Sequence, residues 1–218
     1  MKQAIIFDLD GTIVDSLASI GNCANGCLMR AGFAPHPLEA YKIFVGDGQY
    51  ELIKRALRAA GDEELSHYEA VMADYVEHFK EECFLGCVPY EGVLEALKNL
   101  KAQGIKLAVL SNKAHENTLR VIEEVYGSGF FDVTLGQRDH VAKKPDPAAV
   151  YEILELLSLK KEEVVYTGDT SVDMKTGKAA GLFTIGVTWG FRTREELAST
   201  GADAIIDDPM EWVHLVEN

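Results

Sequence analysis

Two aspartates near the start of the chain are spaced for joint chemistry. Asp8 and Asp10 follow a short apolar run at residues 4–7. Side chains two positions apart in an extended segment lie on the same side, so these carboxylates repel each other unless a cation or a shared proton intervenes. Asp169 follows a later apolar run and adds a third acid. Three carboxylates at one place favour Mg²⁺, which prefers oxygen ligands and also accepts a phosphate oxygen.

Other polar residues stand where they could serve a phosphate. Ser111 and Asn112 follow the apolar run at residues 105–110, and Lys144 precedes a Pro-Asp-Pro segment. A lone lysine in a loop is usually solvated, but beside an acidic cluster its charge can neutralise a phosphoryl group. A serine hydroxyl and N–H groups at a helix N-terminus can donate to phosphate oxygens. A lone aspartate before a helix is more often an N-cap, so the prediction depends on the whole set converging.

Strand and helix patterns alternate along most of the chain. The fold that this alternation predicts determines where the polar residues described above lie relative to one another. Strands are predicted at residues 4–7, 105–110, 132–135, 164–167, 183–187 and 204–206. Helical patterns lie between them, and Asp146 and Pro147 are suited to the N-cap and first position of one such helix. Alternation of this kind predicts an α/β fold with a doubly wound, Rossmann-like parallel sheet. Ligands bind at the carboxyl ends of the strands in such sheets, where the polar residues are predicted.

One stretch after the first strand departs from the alternation. Between about residues 16 and 83, apolar residues recur at helical spacing, interrupted by a breaker segment at residues 33–37. We therefore predict a smaller, all-helical domain at residues 15–86, inserted into a catalytic core made of residues 1–14 and 87–218.

Composition restricts the partners of the protein. The chain has 35 acidic against 21 basic residues and a formal net charge of −14, with no clustered basic face. Nucleic acid and anionic membrane surfaces are therefore not expected partners. The N-terminus lacks a signal-peptide pattern and the apolar runs are too short to cross a bilayer, so we expect a cytoplasmic protein. Because the protein is strongly acidic, a phosphate ligand would need a compact site in which a metal ion and a lysine make the local electrostatic potential positive.

Four cysteines form two pairs with helical spacing. They are Cys23 with Cys27 and Cys83 with Cys87. This spacing allows a metal site or a disulfide, but shorter spacings are more typical of structural zinc. We interpret them as reduced thiols without a special role.

The polar segments together resemble the four motifs of the haloacid dehalogenase superfamily. The matching segments are Phe7–Thr12, Ser111–Asn112, Lys144–Pro145 and Gly168–Asp169, followed by Asp173. Their order covers nearly the whole chain, and the inserted helical block is similar to the α-helical cap of this superfamily. The resemblance implies a phosphatase that uses an aspartyl-phosphate intermediate.

Residue roles follow from this resemblance. Asp8 would attack phosphorus, and Asp10 would protonate the leaving alcohol and later deprotonate the hydrolytic water. Magnesium would be held by the Asp8 side chain, the Asp10 backbone carbonyl and Asp169, with Asp173 beside these ligands. The phosphoryl group and substrate would be bound by Ser111 and Lys144, with Thr12 positioning the first motif and Asn112 lining the pocket.

A second resemblance concerns the substrate. The segment at residues 41–48, with Gly46 in its glycine loop, is similar to the corresponding cap segment of bacterial phosphoglycolate phosphatases. It implies 2-phosphoglycolate as the substrate. Separately, we expect the chain to be a monomer or a homodimer. Alternatives are a β-phosphoglucomutase-like phosphomutase or an inorganic pyrophosphatase or nucleotidase of the same superfamily. A phosphoacceptor signalling domain is a non-enzymatic alternative, but the large cap would have no purpose there.

Overall fold

The core of the protein is a parallel β-sheet. A computed structural model describes residues 2–217, and within them six strands form this sheet in the order β5-β4-β1-β6-β7-β8. These strands are β1 (Ala4–Phe7), β4 (Lys106–Ala114), β5 (Val133–Gln137), β6 (Val164–Gly168), β7 (Phe183–Val187) and β8 (Ala204–Ile206). All neighbouring pairs are parallel. The predicted doubly wound α/β fold is confirmed.

Helices cover both faces of the sheet because the strands are apolar on both sides. Within β1, Ile5 and Phe7 join one hydrophobic cluster and Ala4 and Ile6 join the other, as the two-residue period of a strand requires. The helices of this part are α5 (Val93–Ala102), α6 (His115–Tyr126), α7 (Ala148–Leu157), α8 (Ser171–Ala180), α9 (Arg194–Ser199) and α10 (Glu211–Glu217).

A group of helices stands between two very short strands. The strands are β2 (Val14–Asp15) and β3 (Val88–Pro89), which pair antiparallel. The helices are α1 (Leu17–Arg30), α2 (Leu38–Phe44), α3 (Gln49–Ala59) and α4 (Tyr68–Glu82). We call residues 16–87 the cap. Its apolar stripes pack into the same hydrophobic cluster as one face of the sheet. The predicted domain boundaries at residues 14/15 and 86/87 fall at or next to this strand pair and stay a prediction.

Several elements differ from their predicted bounds; β5, for example, covers Val133–Gln137 where residues 132–135 were predicted. Strand β4 continues to Ala114, so Ser111 and Asn112 lie within the strand rather than after it. Helix α7 begins at Ala148, with Pro147 as N-cap, while the Asp146 carboxylate accepts a hydrogen bond from the Ala148 N–H. A short helix, α2, includes the first four residues of the segment at residues 41–48, ahead of its glycine loop. Local patterns locate such elements better than their ends.

The lengths and compositions of the helices show whether any of them could span a membrane. Among residues 2–217, none of the helices is both long and apolar enough for a bilayer crossing.

Candidate active site

Three adjacent strands bring the predicted site residues to one edge of the sheet. Strand β1 lies between β4 and β6, so Asp8, which follows β1, stands between Ser111 on β4 and Asp169 after β6. All three side chains are buried, and Asp169 is fully so. Because parallel strands end at the same edge, residues more than a hundred positions apart become neighbours.

Lys144 joins two of the acids. Its Nζ donates to Asp8 Oδ1 at 2.7 Å, to Asp173 Oδ1 at 2.8 Å and to the Leu110 carbonyl at 3.1 Å. Burial alone would lower the pKa of Lys144, but the charges of Asp173 and Asp8 outweigh it and raise that pKa well above its ordinary value. The lysine therefore remains a cation beside Asp8, just past the carboxyl end of β1.

Asn112 fixes the backbone of this lysine. Its side-chain oxygen accepts from the Lys144 N–H at 2.9 Å, and its Nδ2 donates to the Lys144 carbonyl at 3.1 Å. The same Nδ2 also lies 3.1 Å from the carbonyl of Gly46 in the cap. Asn112 therefore links the lysine loop to the cap while lining the cavity.

The acids outnumber the cation that is buried with them. Asp8, Asp169 and Asp173 each offer a carboxylate oxygen, and these oxygens all lie within 4.8 Å of one another. Burial and the charge of Asp173, opposed by Lys144, raise the pKa of Asp8 to about 7. Burial and the charges of Asp173 and Asp8 raise the pKa of Asp169 well above its ordinary range. A second cation would relieve this repulsion.

These donors suit a hard divalent ion. The set consists of carboxylate oxygens without sulfur or imidazole, which is the chemistry that Mg²⁺ favours. Asp173 is the most fully hydrogen-bonded of the three acids, because it accepts from Lys144, from the Tyr166 hydroxyl, and from both the N–H and the hydroxyl of Thr170. Asp8 and Asp169 are thus the better candidates for direct ligands. The Asp10 side chain is outside this cluster, and the role of its carbonyl as a ligand stays a prediction.

Asp169 is held by the first loop and by a later one. Its Oδ1 accepts from the Thr12 hydroxyl at 3.1 Å, and its Oδ2 accepts from the Phe191 N–H at 2.7 Å. Glycines make room for it: a Cβ on Gly11 would lie 2.3 Å from Asp169 Oδ2, and a Cβ on Gly190 would lie 2.3 Å from Asp169 Cβ. Thr12 therefore donates to Asp169, and its role in positioning the first motif stays a prediction.

Asp10 points toward different partners from Asp8. Its Oδ1 accepts from the Ser16 hydroxyl and from Lys113 Nζ, both at 2.6 Å. The Lys113 side chain is only 4% exposed and lies over the Phe79 ring of the cap at 5.5 Å. The two aspartates of the first motif thus have separate cations, Lys144 for Asp8 and Lys113 for Asp10.

A cavity of about 50 Å³ lies between this edge and the cap. Core residues on its wall include Asp8, Asp10, Ser111, Asn112, Lys113 and Lys144. The cap contributes mainly apolar side chains, one amide and two glycines, which are Ile20, Val45, Leu52, Tyr75 and Phe79, Gln49, and Gly46 and Gly48. The structure thus gathers Asp8, Asp10, Ser111, Asn112, Lys144 and Gly46 around one small space, with Asp169, Asp173 and Thr12 behind it.

Core side chains also bind the backbone of the cap loop. The Arg192 guanidinium donates to the carbonyls of Lys42, Ile43 and Val45, the last at 2.8 Å. Lys143 Nζ donates to the carbonyl of Asp47 at 2.8 Å. The end of α2 and the loop after it are therefore held against the core at the cavity.

Sequence reasoning missed several of these residues. Lys113 carried one usable signal, because it directly follows the Ser111–Asn112 segment in the sequence. Thr170 is the N-cap of α8 and shares a reciprocal capping arrangement with Asp173. Nothing in the local pattern indicates that Arg192 reaches the cap, because that contact depends on how distant elements meet.

The cysteines take no part in this site. All four are free thiols; Cys23, Cys27 and Cys83 are buried. Among the residues that the structure describes, the only cluster suited to a metal is the aspartate one.

Comparison with known proteins agrees with this geometry. Residues 5–187 match the family model described as haloacid dehalogenase-like hydrolase. A phosphoglycolate phosphatase from Rhodospirillum rubrum is 36% identical over 219 residues, covering 95% of this chain and 88% of that protein. One from Aquifex aeolicus is 32% identical, covering 99% and 97%.

A solved structure extends the likeness to the whole chain. It is a protein of Lactobacillus delbrueckii subsp. bulgaricus, provisionally assigned as a phosphoglycolate phosphatase. It superposes with a TM-score of 0.91 at 30% identity, covering 99% of each chain. The motif residues, the fold and these relatives agree, and the chain belongs to the haloacid dehalogenase-like hydrolases.

Proposed function

We propose that this protein hydrolyses 2-phosphoglycolate to glycolate and phosphate, with Mg²⁺, through a phosphoaspartate on Asp8. That the chain is a phosphoric monoester hydrolase follows from its family and its relatives. The finer proposal is carried by one observation: the buried Asp8 carboxylate lies 2.7 Å from the Lys144 ammonium at the wall of a cavity that Asp10 also lines. A nucleophile, a charge for the phosphoryl group and an acid are thus available together.

The reaction divides into two displacements at phosphorus. An Asp8 oxygen forms a bond to phosphorus as the bond to the glycolate oxygen breaks, and Asp10 gives that oxygen a proton. Water then attacks the phosphoaspartate, Asp10 accepts a proton from it, and the bond to Asp8 breaks to release phosphate. Ser111 and Lys144 hold the phosphoryl oxygens throughout.

The metal has a defined place in this proposal. Asp8 and Asp169 would hold Mg²⁺, which when bound neutralises charge on the phosphoryl oxygens. Thr12 and the Phe191 N–H orient Asp169 for that purpose.

The choice of 2-phosphoglycolate has two supports. The relatives named above are phosphoglycolate phosphatases and are similar over nearly the whole chain. The cavity is small, about 50 Å³, and its cap side is lined mainly by apolar side chains, so a two-carbon ester fits its dimensions better than a sugar phosphate or nucleotide.

A phosphate-release assay with Mg²⁺ tests this function. The purified protein is assayed on 2-phosphoglycolate, glucose 1-phosphate, pyrophosphate and a 5′-nucleotide. We expect the highest kcat/KM for 2-phosphoglycolate. Asp8→Asn is expected to lower turnover by about 10⁴-fold or more, since the nucleophile is lost. Acid quenching followed by mass spectrometry should find the phosphoryl group on Asp8.

The matched control is Asp146→Asn, which alters an exposed carboxylate near Lys144 that contacts only its own helix terminus. It should retain wild-type turnover. Substantial turnover by Asp8→Asn would show that Asp8 is not the nucleophile. A higher kcat/KM for another ester would show that this ester, and not 2-phosphoglycolate, is the preferred substrate.

A further inference from the structure

Lys113 is a buried cation inside the active-site cavity that the two-displacement mechanism does not use. It lies on β4, two residues after Ser111, and its side chain is 4% exposed. Burying an ammonium group is unfavourable unless it has anionic partners, so such a residue calls for an explanation. Its partners in the structure are the Asp10 carboxylate at 2.6 Å and the face of Phe79.

The two lysines of the cavity differ in how fully they are engaged. Among the described residues that line the cavity, Lys113 and Lys144 are the cationic side chains. Lys144 donates to two carboxylates and a carbonyl, and it faces the nucleophile. Lys113 donates to one carboxylate oxygen, so its ammonium retains donor capacity toward the cavity. It also stands on the cap side, beside Phe79.

Substrate geometry places a second anion close to this lysine. Asp10 must reach the ester oxygen to protonate it, and Lys113 Nζ is 2.6 Å from Asp10 Oδ1. In 2-phosphoglycolate the carboxylate carbon is two bonds from that ester oxygen. We propose that Lys113 is a specificity-determining residue that binds the substrate carboxylate. This inference rests on the proposed function.

The surroundings of Lys113 make this recognition selective. The facing cap wall is largely apolar, with Ile20, Leu52 and Phe79 among its side chains, and its described residues include no cationic side chain that could compete with Lys113 for an anion. An ester with a neutral group in place of the carboxylate would form no ion pair with Lys113. Discrimination against it arises because Lys113 then has Asp10 as its one anionic partner in the described part of the chain, and its remaining donor capacity toward the cavity is left without an acceptor.

A matched pair of substrates isolates this interaction. 2-Phosphoglycolate and 2-hydroxyethyl phosphate have the same carbon chain and differ in a carboxylate against a hydroxymethyl group. The measured quantity is the ratio of their kcat/KM values. For Lys113→Met we expect this ratio to fall by about 10- to 100-fold relative to wild type, mostly through a higher KM for 2-phosphoglycolate. Lys113→Arg, which keeps the charge, should recover most of the preference.

Two controls separate recognition from folding. Lys54→Met removes a lysine that pairs with Glu51 on the cap helix α3, and it should leave the ratio unchanged. Thermal unfolding of each variant shows whether it is folded, and the ratio cancels any equal loss on both substrates.

Each outcome decides one question. If Lys113→Met lowers both kcat/KM values equally, Lys113 serves only to position Asp10 and the inference is wrong. If wild type prefers 2-phosphoglycolate and Lys113→Met keeps that preference, the inference fails while the proposed function stands. If wild type hydrolyses the two esters equally well, the proposed substrate fails, and carboxylate recognition by Lys113 fails with it.

Discussion

At the scale of single residues, the site depends on how closely backbone segments approach its carboxylates as much as on the charges themselves. Asp169 is fully buried and has glycine backbone on two sides, at Gly11 and Gly190. Its oxygens can accept from Thr12 and Phe191 only because these segments lie so near. The placement of this carboxylate thus depends on glycines that leave room for it as well as on the groups that donate to it.

Gly190→Ala tests this arrangement. The added methyl group would lie 2.3 Å from Asp169 Cβ and 2.4 Å from the Gly11 carbonyl oxygen, so the acid must shift. A displacement of about 1 Å is expected to lower kcat/KM by about 100-fold. Gly26→Ala is the control, because its methyl group would meet only the flexible end of Arg30 at 3.3 Å. Wild-type kinetics in Gly190→Ala would contradict the prediction.

Much of the candidate site could be placed from residue types and strand ends. Asp8 and Asp169 each follow an apolar run, and in a parallel sheet such positions converge without further information. The pairing of Asp10 with Lys113 could not be derived, because it depends on side-chain direction at the end of β4. The hydrogen bonds that Asp173 accepts from Lys144 and Thr170 could not be derived for the same reason.

At the scale of elements, the contact between cap loop and core is made through backbone carbonyls. Helix α2 ends at Phe44, where its last carbonyls lack helical partners and carry partial negative charge. Arg192 satisfies the carbonyls of Lys42, Ile43 and Val45. Helical patterns could predict the cap, but this contact involves a loop more than a hundred residues away in the sequence.

Arg192→Met is expected to weaken the hold on the cap loop. Losing charge-assisted hydrogen bonds to several carbonyls should lower kcat/KM for 2-phosphoglycolate by about 10-fold, chiefly by raising KM. Arg194→Met is the matched control: it removes a nearby arginine whose side chain is 47% exposed and which pairs with exposed Asp207, so it should change little. Equal effects of the two variants would refute a specific role for Arg192.

At the scale of the whole molecule, the buried acids link stability to pH and metal. Burial and the charge of Asp173 raise the pKa of Asp8 to about 7, against an ordinary value of 3.8. A carboxyl group with a raised pKa contributes stability that is fully present below its ordinary pKa and is lost as pH rises through about 7. The metal-free protein should therefore lose this contribution on going from acid to mildly alkaline solution.

Magnesium should reverse that loss, because it binds the ionised carboxylates. At about pH 8 and saturating Mg²⁺, we expect the melting temperature to rise by roughly 5–10 °C. At about pH 5.5 the rise should be smaller, since binding must displace protons. Thermal unfolding with Mg²⁺ and with a chelator at both pH values measures this difference. Asp8→Asn should diminish it, and an equal rise at both pH values would contradict the assignment.

The pairing of β2 with β3 makes the helical insertion leave and rejoin the core at one point. Val14 lies opposite Pro89 and Asp15 opposite Val88. Because these ends are side by side, a module of another length or shape would meet the core in the same way, and chain closure depends only slowly on length. The insertion can therefore change in length or shape while both of its connections to the sheet stay at the same place.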